Sequence, residues 1–451
     1  MVSDRAAGRS RFVRGLARLL GTTEKRIEVW GRLIMTSLAV TLLVHGARSQ
    51  HLLDGAETWW LDKMAVADRP GFDAPITVVA ITDADYYDPA LFGGTSPLDP
   101  GVVARILERI LDHRPRGVVL DIQIHPARHE SPERSESRLR LFRMLEDAAE
   151  AGGAPIVLVR ESRAEEIEFT PGDPPWSAWE ELTGRAEFHF ADPTIERSGG
   201  FVRAVPRRYD GDDGEARALP TILGAAVSAF HLVPHRDTPW WIRREEQLPT
   251  TPWRIRFSGQ FLRESPGITP YHTDVTSLVS APAVEGARSL LTDRIVLLGG
   301  THHAGRDIQP TVVGDMPGIY VWAEAIASWI RHDALREPLA SISFLLEFLL
   351  GVVAGFVLAR FGPAFSMLIS LLVMAPLTVL FSILTFGDGV LFVNFLPSIL
   401  GVYLHYQIEV HIELRHCARL RESLRGDSPG RVPESPSDSG EGSDAGPGTE
   451  A

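Results

Sequence analysis

The sequence predicts an α/β domain, a mostly parallel sheet with flanking helices, mounted on four transmembrane α-helices. Three observations carry that prediction. Residues 341–359 (SISFLLEFLLGVVAGFVLA), 364–386 and 390–406 meet or approach the length of a membrane crossing, which takes roughly 20 mostly apolar residues. A shorter apolar run, Leu33 to Ala47, extended by Trp30 and Gly31, makes a first span over 30–48. Between them lies a polar segment, 49–340, in which apolar strands alternate with helical periodicity from Ile76 to Val159. That alternation is the pattern of a helix-covered parallel sheet.

Four crossings put both termini on one side, and basic residues near the span ends choose the side. Residues 1–48 hold nine Arg or Lys against three Asp or Glu. Arg415, Arg419, Arg421 and Arg425 follow the last span, Arg360 lies between the second and third, and the turn between the third and fourth carries only Asp388. The termini are therefore expected in the cytoplasm, with residues 49–340 outside a bacterial inner (cytoplasmic) membrane. That outer segment holds 30 basic and 44 acidic residues, a net of −14 against −13 for the whole chain. Such a surface repels phosphates and argues against nucleic acid as a partner.

Within residues 1–29, Phe12, Val13, Leu16, Leu19 and Leu20 fall at helical spacing among Arg11, Arg14 and Arg18. This suits a basic amphipathic helix on anionic membrane lipid, or equally a plain basic flank. No small-residue cleavage site follows the first span, which runs into His45-Gly46-Ala47-Arg48, so an uncleaved anchor is expected. The one cysteine, Cys417, falls in the tail, 407–451. The outer domain is then expected to hold without disulfides, for which about 290 residues suffice.

Taken in order, Ile76 to Ile81 (ITVVAI) reads as a buried strand, and Val102 to Leu111 as a crossover helix with one apolar face. Gly117 to Ile124 is the next strand, a charged helix follows from about Glu133 to Ala151, and Pro155 to Val159 is a third strand. Phe188 to Phe190 and Phe201 to Tyr209 read as short strands around the turn Ser198-Gly199-Gly200. Leu219 to Leu232 is an apolar helix, Arg254 to Phe257 a strand, and Arg294 to Leu298 a strand running into Gly299-Gly300-Thr301-His302-His303. A last helix, about Ile319 to Arg331, leads toward the second span.

The blocks ITVVAITDADY, RGVVLDIQI, ADPTIERSGGFVRAVPRR with LPTILGAAVSAF, and DRIVLLGGTHHAGRDIQPTVVGDMPGIYVWAEAIASWI occur in that order. With them the chain resembles the CHASE2 family of extracytoplasmic sensory domains, from about Pro75 to Glu337. The resemblance implies one span before the domain and three after it. Where the family usually has a Pro-Trp-Pro-Arg-like turn, this chain has Ser96-Pro97-Leu98-Asp99-Pro100. The family's domains are usually followed by a kinase, cyclase or diguanylate-type output domain. Residues 407–451 are too short for one and turn to Gly, Pro, Ser, Asp and Glu from 426 onward, the composition of a disordered segment.

In open parallel sheets, ligands bind beyond the carboxyl ends of the strands. Here those ends carry Asp83 and Asp85, Asp121 and His125, and the stretch Thr301 to Asp307 with His302 and His303. They form the candidate ligand site, although Asp83 and Asp121 also suit helix caps and loop ties. Neighbouring histidines on extended chain point apart, and there is no HxxxH, HExxH or CxxC, so no metal is expected. Gly299-Gly300 fits a tight turn with positive φ better than a phosphate cradle, and no cofactor is expected. Asp315-Met316-Pro317-Gly318 reads as a turn. Arg425-Gly426-Asp427-Ser428 is a coincidence of spelling in a cytoplasmic tail. Within the membrane, Glu347 is the costly ionisable group, and Gly351 and Gly355 form a small-xxx-small pair suited to helix packing or a homodimer. Together with Arg331 they are the candidate coupling residues.

These features predict a receptor that is not an enzyme. Its outer domain takes an unidentified small molecule or protein, and a separate cytoplasmic signalling partner docks on His411 to Arg425. Two other readings stand beside it: a structural scaffold of the envelope, and an external hydrolase using Asp83, Asp121 and His125, for which no nucleophile elbow or zinc signature is present.

Overall fold

The computed structural model describes residues 24–50, 52–67, 71–126, 131–160, 174–208, 219–232, 253–258, 260–262, 271–280, 289–305, 307–331 and 340–361, with residue 380 and scattered positions from 403 to 421. Among these, β1 (Ile76–Ile81), β2 (Gly117–Asp121), β3 (Ile156–Val159) and β4 (Phe188–Ala191) are strands of one sheet. β5 (Ala204–Val205) and β6 (Trp253–Arg254) form a separate antiparallel pair. β7 (His272–Asp274) and β8 (Ile295–Gly300) return to the main sheet, whose order is β4-β3-β2-β8-β1-β7 with every pairing parallel. β9 (Ile308–Thr311) and β10 (Gly314–Pro317) make a hairpin.

The sheet is buried on both faces, which is why its strands read as unbroken apolar runs rather than as alternation. Val79, Ile81, Val118, Leu120, Val296 and Leu298 point to one face, against α3 (Asp83–Tyr87), α4 (Pro100–Asp112), α5 (Pro132–Glu150), α6 (Pro174–Thr183) and α8 (Val275–Ser280). Ile76, Val78, Val119, Ile295 and Leu297 point to the other, against α7 (Ile222–Ala229) and α9 (Gly318–Arg331). The predicted strands and helices of this domain are therefore present as a helix-covered, mostly parallel sheet. Asp99 caps α4 by accepting from the Gly101 N–H at 2.7 Å, with Pro100 at the first helical position, where a missing N–H is harmless.

Three further helices lie outside the two sheet-covering layers. α1 (Glu24–Ser49) is one continuous helix that takes in the predicted span 30–48 and the end of the basic segment before it. α2 (Asp54–Ala67) follows it, and α10 (Ala340–Phe361) follows α9. α1 and α10 pack side by side and antiparallel: Trp30 stacks on Phe356 at 5.6 Å, and His45 meets Phe344 edge-on at 5.8 Å. A methyl group added at Gly351 would sit 3.4 Å from the Ser37 Cβ. Among the described residues no helix is long and apolar enough to cross a membrane. The predicted spans 364–386 and 390–406, apart from the scattered described positions, and the predicted amphipathic helix near the N-terminus lie outside the described residues, as do residues 332–339 and the tail expected to be disordered from 426.

Several local expectations are corrected. The second strand stops at Asp121 rather than Ile124, and among the described residues of 201–208 only Ala204 and Val205 form a strand, β5, while Phe201 and Val202 make isolated bridges. Asp315-Met316-Pro317 is not a turn but the second strand of the β9–β10 hairpin. Gly299 and Gly300 make no positive-φ turn; they are the last residues of β8. Gly299 is there for room, since a Cβ would meet the Ile319 Cδ1 at 2.6 Å and the Asp121 Cβ at 3.2 Å. A helical glycine packed against backbone is Gly224 in the first turn of α7, where a Cβ would lie 2.1 Å from the Arg207 carbonyl oxygen and 2.9 Å from its carbon. Backbone on both sides cannot give way, so Gly224→Ala is expected to lower stability by about 3 kcal/mol, the upper range for overpacking. A urea midpoint unchanged from wild type would show that α7 can shift.

Candidate functional site

The crossovers after β1 and β2 leave toward the face of α4 and α5, whereas the chain after β8 leaves through the β9–β10 hairpin to α9 on the opposite face. The carboxyl edge of β8 is thus the switch point at which a parallel sheet opens a crevice. Most of the predicted site residues lie along it, in two groups.

The first group is at the end of β1. Thr82 caps α3 and leaves Asp83 in the first turn, facing the loop after β8. The His303 backbone N–H donates to Asp83 at 3.0 Å, and its Nδ1 lies 2.6 Å from the other carboxylate oxygen. The His303 side-chain hydrogen bond, outweighing slight desolvation, holds the Asp83 pKa below the ordinary carboxylate value. His302 stacks flat on Tyr86, with ring centres 4.2 Å apart, and desolvation lowers its pKa against the pull of Asp83. The two histidines do not point apart as extended chain would have them. A short 3-10 turn, His303–Gly305, brings both to the β1 side.

The second group lies at the end of β2, on the face of α9. Asp121 follows the strand alternation onto that face and lies beside Gly299 and Ile319. Desolvation, and secondarily the nearby Asp307 carboxylate, push its pKa up to about 7. Asp307 opens β9 and lies against the start of α9, its carbonyl accepting from the Gly318 N–H at 2.9 Å. A Cβ at Gly318 would fall 2.1 Å from an Asp307 carboxylate oxygen, so that glycine is what lets the carboxylate lie there. Burial raises the Asp307 pKa, while the Gln309 amide donating at 2.7 Å and the Gly318 N–H act the other way. Arg197 holds the Gln309 carbonyl oxygen at 3.1 and 3.2 Å and so backs the same group.

The other predicted residues are engaged elsewhere. Asp85 is fully buried and accepts four hydrogen bonds: from the Thr82 N–H and hydroxyl at 2.8 Å each, and from the Thr276 N–H at 2.8 Å and hydroxyl at 2.5 Å. It ties α3 to α8. His125 bonds within its own loop, Nδ1 to the Pro126 carbonyl at 3.1 Å. Arg331, at the end of α9, donates to the Arg256 carbonyl at 3.4 Å. Glu347 is buried, and it lies one turn from Gly351 on α10, which faces Ser37 of α1; Gly355 lies a further turn along the same helix.

Sequence reading passed over three features. Tyr320, in the first turn of α9, shares a hydrogen bond with the His272 Nε2 at 3.0 Å, and burial pushes its pKa up to about 12. Glu324, fully buried, accepts from the Ser258 N–H at 3.1 Å on both carboxylate oxygens. A lone acid inside GIYVWAEAIASWIR was its signal, because a helix apolar all round is a buried one. Arg203 grips Asp62 of α2 through two bonds, of 2.8 and 2.7 Å, a pairing 141 positions apart that no local pattern announces.

Chemically, the edge of β8 offers carboxyl groups of two kinds: Asp83, ionised and paired with an imidazole, and Asp121 and Asp307, whose pKa values are raised. Such a set suits a ligand rich in hydrogen-bond donors. Among the described residues no group of three or more His, Cys, Asp or Glu is arranged to hold a metal ion. The family model for the CHASE2 domain matches residues 39–360. No curated protein and no solved structure matches the chain.

Proposed function

The chain belongs to the CHASE2 family of extracellular sensory domains, and from that premise we propose a membrane-anchored receptor that is not itself an enzyme. Its α/β domain stands outside the inner membrane and takes up a small molecule or a protein at the edge of β8. Four membrane helices, α1 and α10 among them, carry the change inward to a separate cytoplasmic partner.

One observation supports this reading above the others. The Asp307–Gly318 bond closes the base of the β9–β10 hairpin, and two routes leave from it. Along the hairpin, Val312 packs on Leu61 and Ala65 of α2, the helix that follows α1. Along α9, 14 residues lead to Arg331, just before α10, a length of about 20 Å. A ligand that binds two arrangements of this hairpin base with unequal affinity shifts both routes together, and it shifts them by no more than that inequality. The ends of both routes meet again where α1 and α10 pack.

The test uses the full-length protein in lipid nanodiscs and a library of small metabolites. A ligand at 100 times its Kd adds about 2.7 kcal/mol to stability, seen as a rise of several degrees in Tm. The rise is expected to vanish in Asp83→Asn or Asp121→Asn. In parallel, a tag on the C-terminus should recover a signalling protein from native membranes, lost when the chain is cut after Tyr406. No shift with any compound, together with recovery of envelope proteins indifferent to the cut, would replace the receptor with a scaffold.

A further inference from the structure

Helix α2 has two unlike faces. Leu61 and Ala65 are buried against Val312, and Asp62 is held by Arg203. On the other side Trp59 and Val66 are 55% and 42% exposed, and Leu52, in the turn just before the helix, is 75% exposed. A spacing of seven residues stacks Trp59 and Val66 along one line of the helix, with Lys63 on one flank and Asp62, held by Arg203, on the other. Single exposed apolar residues are ordinary, but an aligned set beside a half-exposed tryptophan marks a contact surface.

What covers that surface follows from where the helix starts. Only the chain between Ser49 and Asp54 separates α2 from α1, and the three steps from Ser49 to Leu52 reach at most about 10 Å. We propose that Leu52, Trp59 and Val66 rest in the headgroup zone of the outer leaflet, so that α2 lies as an interfacial helix between the bilayer and the sensory domain. The inference rests on reading α1 as a membrane span.

The chemistry of the face matches that occupant. Tryptophan favours the bilayer interface because its ring is apolar while its N–H still finds water. Lys63, the sole lysine between residues 49 and 340, can lay its alkyl stem along the same zone with the ammonium among the headgroups. The outer segment is otherwise strongly acidic, so the attachment depends on apolar contact and not on anionic lipid. Since the opposite face of α2 carries the tip of the β9–β10 hairpin, the membrane surface and the candidate site bear on the same helix.

The experiment begins from Cys417→Ser, which removes the sole cysteine. Spin labels are then placed singly at Trp59→Cys, Val66→Cys, Leu43→Cys and Arg105→Cys in the full chain in nanodiscs. Leu43 is 61% exposed within α1 and reports on the span; Arg105 is exposed on α4 and reports on water. Labels at 59 and 66 are expected to collide with oxygen several-fold more, relative to a water-soluble nickel chelate, than the label at 105. Exchanging anionic for zwitterionic lipid should leave that ratio unchanged. A label at 59 as water-exposed as that at 105, with the label at 43 in lipid, overturns the interfacial face alone. Spin–spin broadening between copies at 59 overturns it in favour of a dimer contact. A water-exposed label at 43 removes the span, and the surface with it.

Discussion

Asp85→Ala is expected to lower the stability of the α/β domain by about 4 kcal/mol, the largest loss foreseen for one substitution. The carboxylate is fully buried and its four hydrogen bonds join two helices, α3 and α8. One oxygen closes a capping box with Thr82 at the start of α3, and the other accepts from the N–H and hydroxyl of Thr276 in α8. Removing the acceptor strands those donors at a partly buried site, where each donor left without its partner costs about 1 kcal/mol, the low end of the range for unpaired groups. Asp85→Asn should recover only part of the loss, because its amide turns two donors toward groups that already donate. Thr276→Val, which deletes one hydroxyl, should cost about 1 kcal/mol. Urea unfolding of the three variants checks the order. Equal, small losses for all three would mean that α3 and α8 repack around the gap, and Asp85 would return to the list of groups available to a ligand.

That example also shows what the sequence could and could not reveal. Asp83 and Asp85 stand two positions apart after the same strand and looked equivalent. Their fates differ because one meets Thr276, 191 positions away, and the other meets His303, 220 positions away. The strands β1, β2, β3 and β8 were legible since burial on both faces leaves an unbroken apolar run. β7, only His272-Thr273-Asp274 at the sheet edge, carries no such run. The β9–β10 hairpin was hidden by Pro310 and Pro317, which a two-stranded ribbon tolerates because it has no central strand. Gly299 was legible as a special position but for the wrong reason: the constraint is Ile319 arriving from α9, a tertiary contact and not a turn. The carboxyl edge of the sheet was therefore readable as the place where these residues gather, while the different partners each takes along that edge were not.

Asp121→Asn is expected to stabilise the protein at pH 8 and to leave it unchanged near pH 4. The native pKa of this carboxyl is pushed up to about 7, by desolvation first and by Asp307 second, whereas in an unfolded chain it lies near about 3.9. Between those values the folded protein keeps a proton that the unfolded chain has released. Unfolding then gives up a proton, and stability must fall as pH rises through this window. The full difference corresponds to at most about 4 kcal/mol, and the partial exposure of Asp121 scales this to about 2 kcal/mol. Asp83 acts in the opposite sense: its pKa is lowered by His303, so its contribution is present above the unfolded value and lost as pH falls. Thermal midpoints of wild type and Asp121→Asn from pH 4 to 8 separate the two, and parallel curves would refute a proton held at Asp121. A carboxyl that weakens the fold at neutral pH is a group that a donor-rich ligand would relieve on binding, and under the proposed receptor reading the end of β2 is where such a ligand would act on α9.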